Sequence, residues 1–121
     1  MKKTVVIGAT TNPSRYACLA AHKLKEKGHE VVPIGIREGS VAGLPILDLR
    51  TKPKVIETDT VTLYIGAEKQ KEWSEYILSL NPKRIIFNPG AENYELSRLA
   101  NEKGIETLNA CTLVMLSANT F

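Results

Sequence analysis

The chain has 121 residues, 43% hydrophobic and 24% charged, with a net charge of +3 and a pI near 8.9. That is the size and balance of one soluble globular domain with a real core. Its lysines and arginines are scattered through helical stretches and never gather into a patch, and no apolar stretch approaches the ~20 residues of a bilayer span; nucleic acid and membrane are therefore not expected partners, and a small anionic ligand is.

Met1-Lys2-Lys3-Thr4 runs directly into an apolar strand, Val5–Ile7, with no signal-peptide core. After Gly8 and a polar loop, residues 14–27 carry Ala17, Ala20, Ala21 and Leu24 at i, i+3, i+4 and i+7, which predicts a helix whose alanine face lies close to a sheet. Gly28 supplies its left-handed C-terminal cap. A second strand spans Glu30–Ile36. Residues 37–59 read as irregular, punctuated by Gly39, Gly43, Pro45 and Pro53, with a short extended piece around Pro45–Leu47. A third strand, Val61–Ile65, closes on Gly66. The helix after it sets Trp73, Tyr76, Ile77 and Leu80 on one face, opposite Lys71, Glu72, Glu75 and Ser79. Arg84–Phe87 is a strand ending in Asn88-Pro89-Gly90. A helix from about Glu92 to Lys103 turns Leu96, Leu99 and Ala100 inward and stops at Gly104. Ile105–Leu108 is the last main strand, and Thr112–Phe121 holds a turn or two of helix.

Glu26-Lys27-Gly28 and Glu102-Lys103-Gly104 each end a helix just before a strand, as two βαβ halves would. Strands alternating with helices over short connections imply parallel pairing, and their nearly unbroken apolar character implies burial on both faces. The expected fold is α/β: one Rossmann-like, three-layer, doubly wound domain over 1–121, with five main strands and a short sixth.

In such sheets ligands bind outside the carboxyl ends of the strands, where strand order reverses. This selects the loops Gly8–Ser14, Gly35–Arg37, Gly66–Glu68, Asn88–Asn93 and Asn109–Cys111. A dinucleotide fingerprint needs three glycines and an acid about 20 residues on. Here Gly8 stands alone, Thr10 and Pro13 occupy the later glycine positions, and the second strand ends at Gly35-Ile36-Arg37 rather than in a carboxylate. Both departures argue against NAD. An arginine there suits a ribose phosphate, while Thr10, Thr11, Ser14 and the helix start supply hydroxyl and N–H donors.

The segments "VIGATTNPSRY", "VVPIG", "LYIG", "IIFNPGAEN" and "NACTL", in this order and spacing, resemble the small single-domain CoA-binding proteins. These are similar to the CoA-binding domain of succinyl-CoA synthetase alpha chains and NDP-forming acyl-CoA synthetases. The likeness covers nearly the whole chain. It implies that Gly8, Ala9, Thr10, Asn12 and Arg15 hold the CoA phosphates, and the Thr11 hydroxyl adds a candidate donor beside them. It places Pro33, Ile34 and Arg37 beside the adenosine and its 3′-phosphate, Ile65 and Gly66 near adenine or ribose, and Asn88, Pro89 and Gly90 along the pantetheine. Many members have Asn-Pro after the second strand, where this chain has Gly35-Ile36-Arg37. The phosphohistidine and acyl-transfer domains of the full synthetases have no counterpart in these 121 residues.

No catalytic constellation emerges. There is no Gly-x-Ser-x-Gly elbow and no histidine in the post-strand loops, and Glu68 and Glu92 read as helix openers. No metal-ligating set is spaced around His22 and His29, which read as surface histidines. Cys18 reads as packing, while Cys111 falls at the ligand edge. Two distant cysteines without export signals imply reduced thiols and a cytoplasmic location. The first reading is therefore a CoA- or acyl-CoA-binding module without catalysis of its own. The alternatives are an NADP-dependent reductase, a subunit completed by a catalytic partner, or a redox regulator in which Cys111 exchanges disulfide with CoA. A protein partner or a homo-oligomer fits any of them.

Overall fold

In the computed structural model, which describes residues Met1–Phe121, the apolar runs become strands of one parallel sheet. β1 (Thr4–Ile7) leads through α1 (Tyr16–Glu26) to β2 (Val31–Gly35). An antiparallel hairpin, β3 (Ser40–Val41) with β4 (Leu44–Pro45), precedes β5 (Leu47–Asp48). Then follow β6 (Thr60–Leu63), α2 (Ala67–Gln70), α3 (Ser74–Ser79), β7 (Arg84–Phe87), α4 (Tyr94–Glu102), β8 (Glu106–Asn109) and α5 (Thr112–Ser117).

The main sheet has the order β5-β2-β1-β6-β7-β8, and every neighbouring pair is parallel. This is the expected six-strand Rossmann-like fold. The short sixth strand is β5, which pairs with the end of β2 through Ile34↔Leu47 and Gly35↔Asp48. From β1 the chain winds outward to β5, then returns with β6 to the other flank of β1. Strand order therefore reverses between β1 and β6, and their carboxyl ends frame the crevice.

Alternation along the strands divides the interior into two layers. Val5, Ile7, Leu63, Ile85 and Phe87 join Ile77 of α3 and Leu96 and Ala100 of α4 in the larger core. Val6 and Val31 pack with Ala17, Cys18, Ala21 and Leu24 of α1 and Leu116 of α5 in the smaller one, so the alanine stripe lies on the sheet as its spacing predicts. The central strands are polar on this second face. Thr60, Thr62, Arg84 and Asn88 are all buried. Arg84 donates to the Thr60 hydroxyl at 2.8 Å and lies 4.4 Å from the centre of the Phe121 ring.

Several boundaries differ from expectation, each for a local reason. The helix after Gly66 is not continuous. A 3-10 turn at Lys71–Trp73 separates α2 from α3, and the Ser74 hydroxyl donates to the Gln70 carbonyl at 2.9 Å, competing with the helical ladder. α4 starts at Tyr94 because the Asn93 side chain caps it, accepting from the Leu96 N–H; Glu92 lies before the helix and accepts from the Gly90 N–H. α1 starts at Tyr16, which makes Arg15 its N-cap rather than a helical residue. Residues 37–59 hold a hairpin and a sheet strand. His29 is half-buried rather than a surface residue: its Nδ1 accepts from the Lys2 N–H, its ring meets Phe121 edge-on, and burial, then Lys2, lowers its pKa. No helix is long and apolar enough to cross a membrane.

Candidate functional site

The turn after β1 is held by close backbone approaches that only glycine permits. Gly8 has φ +99°, and a Cβ there would meet Ile65 at 3.1 Å and Tyr64 at 3.2 Å. A Cβ on Gly35, at the end of β2, would lie 2.4 Å from the Ala9 carbonyl oxygen. The Ile34 carbonyl accepts from the N–H groups of both Gly8 and Ala9, at 2.9 and 3.0 Å. The loop is thus welded to β2.

Beyond Ala9 the loop is shaped by its own side chains. The Asn12 N–H donates to the Thr10 hydroxyl at 3.1 Å, and Asn12 Oδ1 accepts from the Ser14 N–H and hydroxyl at 3.0 and 2.8 Å. This is an Asx-type turn that leads the chain into α1. Its internal bonds leave other donors free: the backbone N–H groups of Thr10, Thr11, Tyr16 and Ala17 meet no protein acceptor. Thr11 through Tyr16 are exposed, and no acidic side chain occupies the first turn of α1. Free amides, a positive helix end and the Arg15 guanidinium together make a place for an anion.

At the end of β2, Arg37 is exposed and Ile36 is 55% exposed. Arg50 lies beside the same bend, paired with Asp48 at 2.9 Å, and that hydrogen-bonded carboxylate raises its pKa. Pro33 and Ile34, by contrast, are buried within the sheet, and Ile34 is wholly inaccessible. They shape the crevice wall through the backbone rather than by presenting side chains.

Across the switch point the character changes. Ile65 is half-buried, and Gly66 begins α2 with a Cβ direction 3.8 Å from the Gly90 carbonyl, so the loops after β6 and β7 are neighbours. Asn88 is 1% exposed and its amide is spent inside. Nδ2 donates to the Thr62 hydroxyl and the Leu63 carbonyl at 2.7 and 2.9 Å, and Oδ1 accepts from the Thr112 N–H at 2.9 Å. Pro89 and Gly90 are exposed, with open space around Gly90. Cys111 is half-buried at the N-cap of α5. Near it the Tyr64 hydroxyl is buried without a hydrogen-bond partner, and that burial pushes its pKa up to about 12.

The sequence reading missed Gln70 and Asn93. Gln70 is fully buried. It donates to the carbonyls of Ile65 and Ala91, each at 2.7 Å, and accepts from Asn93 Nδ2 at 2.9 Å. One signal was available: Gln70 stands three residues before Trp73 and seven before Ile77, a polar residue in an apolar stripe.

No three His, Cys, Asp or Glu side chains gather where they could hold a metal. A cleft of about 1270 Å³ opens at the opposite, amino-terminal edge of the sheet, lined by Lys3, Lys52 and Lys83 among others, but also by Glu30, Asp59 and Glu75. Its four lysines are matched by four carboxylates, which weakens its pull on a phosphate.

Residues 2–117 match the family model described as the CoA binding domain. An uncharacterized protein of known crystal structure shares 53% identity, with a TM-score of 0.96 over 100% of this chain and 98% of that one. A hypothetical protein from Pyrococcus horikoshii OT3 shares 25% identity, with a TM-score of 0.82 over 97% and 82% of the two chains. A protein from Thermus thermophilus, 22% identical with a TM-score of 0.84 over 99% and 91%, shares the fold. No curated protein matches the chain. The match over residues 2–117, on a Rossmann-like sheet, places the chain in the CoA-binding domain family.

Proposed function

We propose that this protein binds coenzyme A or an acyl-CoA at the carboxyl edge of its sheet and performs no chemistry on it alone. The carrying observation is the cluster of unpartnered amides at Thr10, Thr11, Tyr16 and Ala17, beside Arg15. Ala17 is buried and Thr10 half-buried, and donors so placed are costly unless a ligand or water takes them; a pyrophosphate is a natural acceptor for all four. Gly8 and Ala9 bring the backbone close to it. Arg37 is the residue for the 3′-phosphate, and the exposed side chain of Ile36 offers an apolar surface for the adenine. Ile65 and Gly66 lie by the adenine or ribose, and the pantetheine arm runs along Pro89 and Gly90 toward Cys111. Asn88 acts here as a brace, since its amide is already engaged.

Thermal unfolding with CoA, dephospho-CoA and NADP tests this reading. Ligand at about 100 times its Kd stabilises by about 2.7 kcal/mol, which raises Tm by several degrees in a domain of this length. CoA should produce that shift and NADP should not. A shift with NADP alone would overturn the reading in favour of a reductase.

A further inference from the structure

We infer that Gln70 is the positioning residue of the binding cleft: it locks the loop after β6 to the loop after β7 and thereby sets the affinity for the ligand that crosses both. The inference rests on the CoA-binding reading above, and its core stands on geometry.

Gln70 sits at the last position of α2, with none of its surface accessible. One amide hydrogen reaches back to the Ile65 carbonyl and the other reaches across to the Ala91 carbonyl. Its oxygen takes a hydrogen from Asn93, whose own oxygen caps α4. A single side chain therefore ties three elements: the 64–66 loop, the 88–93 loop and the first turn of α4. Past the strand ends at Leu63 and Asn88, no other hydrogen bond joins those two loops.

A buried amide is an expensive way to fill this volume. A methionine or leucine would fit a similar space without desolvating polar atoms. What the amide adds is direction: two carbonyls held at 2.7 Å from one nitrogen fix the separation of the loops that bear them. Gly66, exposed in the first of those loops, points at the second: a Cβ there would lie 3.8 Å from the Gly90 carbonyl oxygen. A ligand lying over both benefits when their spacing is set before it arrives, because ordering cost is removed from binding.

The test uses Gln70→Met, which keeps volume and removes all three bonds, and Gln70→Glu, which keeps shape but turns an acceptor oxygen toward the two carbonyls. Amide hydrogen exchange without ligand should rise in residues 64–68 and 88–94 of Gln70→Met, while β1, β2 and α1 keep wild-type protection. CoA affinity by calorimetry should fall about five- to tenfold, and equally for dephospho-CoA, since position rather than phosphate recognition is lost. In Gln70→Glu the loss should shrink as pH falls from 8 to 5.5, relative to wild type at each pH. The protonated acid regains one donor there, and burial between carbonyls raises the pH at which it does so. Gln70→Met, which carries no titrating group, should show no such pH dependence.

Wild-type loop exchange in Gln70→Met, or unchanged CoA affinity with a pH-independent Gln70→Glu, overturns the inference. Should wild-type protein fail to bind CoA at all, the ligand reading falls, and the exchange experiment alone decides whether Gln70 couples the loops.

Discussion

The two flanks of the switch point treat their polar side chains in opposite ways. On the β1–α1 side, the side chains of Thr11 through Tyr16 are exposed, and those of Thr11, Arg15 and Tyr16 are free to meet a ligand. On the β6–β7 side, the amides of Asn88, Gln70 and Asn93 are turned inward and engaged. Unspent donors recognise; spent donors hold shape. A binding cleft needs both, because a charged ligand must find partners and must find them in place.

Substitutions can break this division, beginning with the scaffold. Gly35→Ala forces a methyl group to within 2.4 Å of the Ala9 carbonyl, and the backbone it meets cannot rotate away. We expect a loss of about 3 kcal/mol in urea unfolding, together with loss of CoA binding, because the loop must move off β2. A stable variant that binds CoA normally would show that the weld is unnecessary.

Asn88→Asp is the next largest. It replaces the amide donors to Thr62 and Leu63 with a carboxylate facing a carbonyl oxygen. About 2 kcal/mol of stability should go, with a greater loss at neutral than at acidic pH, where the acid protonates. If the loss were confined to ligand affinity, Asn88 would be a ligand contact after all.

The exposed flank should behave in reverse. Arg15→Gln should leave the unfolding midpoint within about 0.5 kcal/mol and weaken CoA and dephospho-CoA alike, by about tenfold or 1.4 kcal/mol. Arg37→Gln should weaken CoA and leave dephospho-CoA unchanged; equal losses for both would remove Arg37 from the 3′-phosphate. Calorimetric titration distinguishes these outcomes.

The smallest effect sharpens the comparison by its exception. Tyr64 is a buried hydroxyl on the inward-turned flank that makes no hydrogen bond, so Tyr64→Phe should stabilise by up to about 1 kcal/mol. Its phenol holds its proton more tightly in the folded chain, with a pKa of about 12 against 10 unfolded. The associated stability is therefore full below pH 10 and is lost as pH rises toward 12. Tyr64→Phe should soften that alkaline fall in a series of unfolding curves, and an unchanged series would show that the phenol is solvated rather than buried.

The regular elements of the carboxyl edge were legible because they leave one-dimensional marks. Gly8 after an apolar run announces a strand-to-helix turn, and Ala17, Ala20, Ala21 and Leu24 announce the helix that follows. Arg84–Phe87 was readable to the residue. The helix after Gly66 was not, because the Ser74 hydroxyl bends it through a contact that carries no periodic signature. In residues 37–59 only a short extended piece around Pro45–Leu47 was legible, because a two-residue strand such as β5, at Leu47–Asp48, exists only where β2 offers it an edge.

The sequence by itself determined the fold class and the carboxyl-edge loops, since these follow from local spacing and backbone preference. Only the tertiary structure decided which of the candidate residues face outward. Pro33, Ile34 and Asn88 lie at the right strand ends but point their side chains into the protein, whereas Gln70, unmarked by any motif, closes the gap between two loops. The physical reason is that the direction and satisfaction of a polar side chain depend on partners distant in the chain: 21 residues for Gln70 and Ala91, 24 for Asn88 and Thr112.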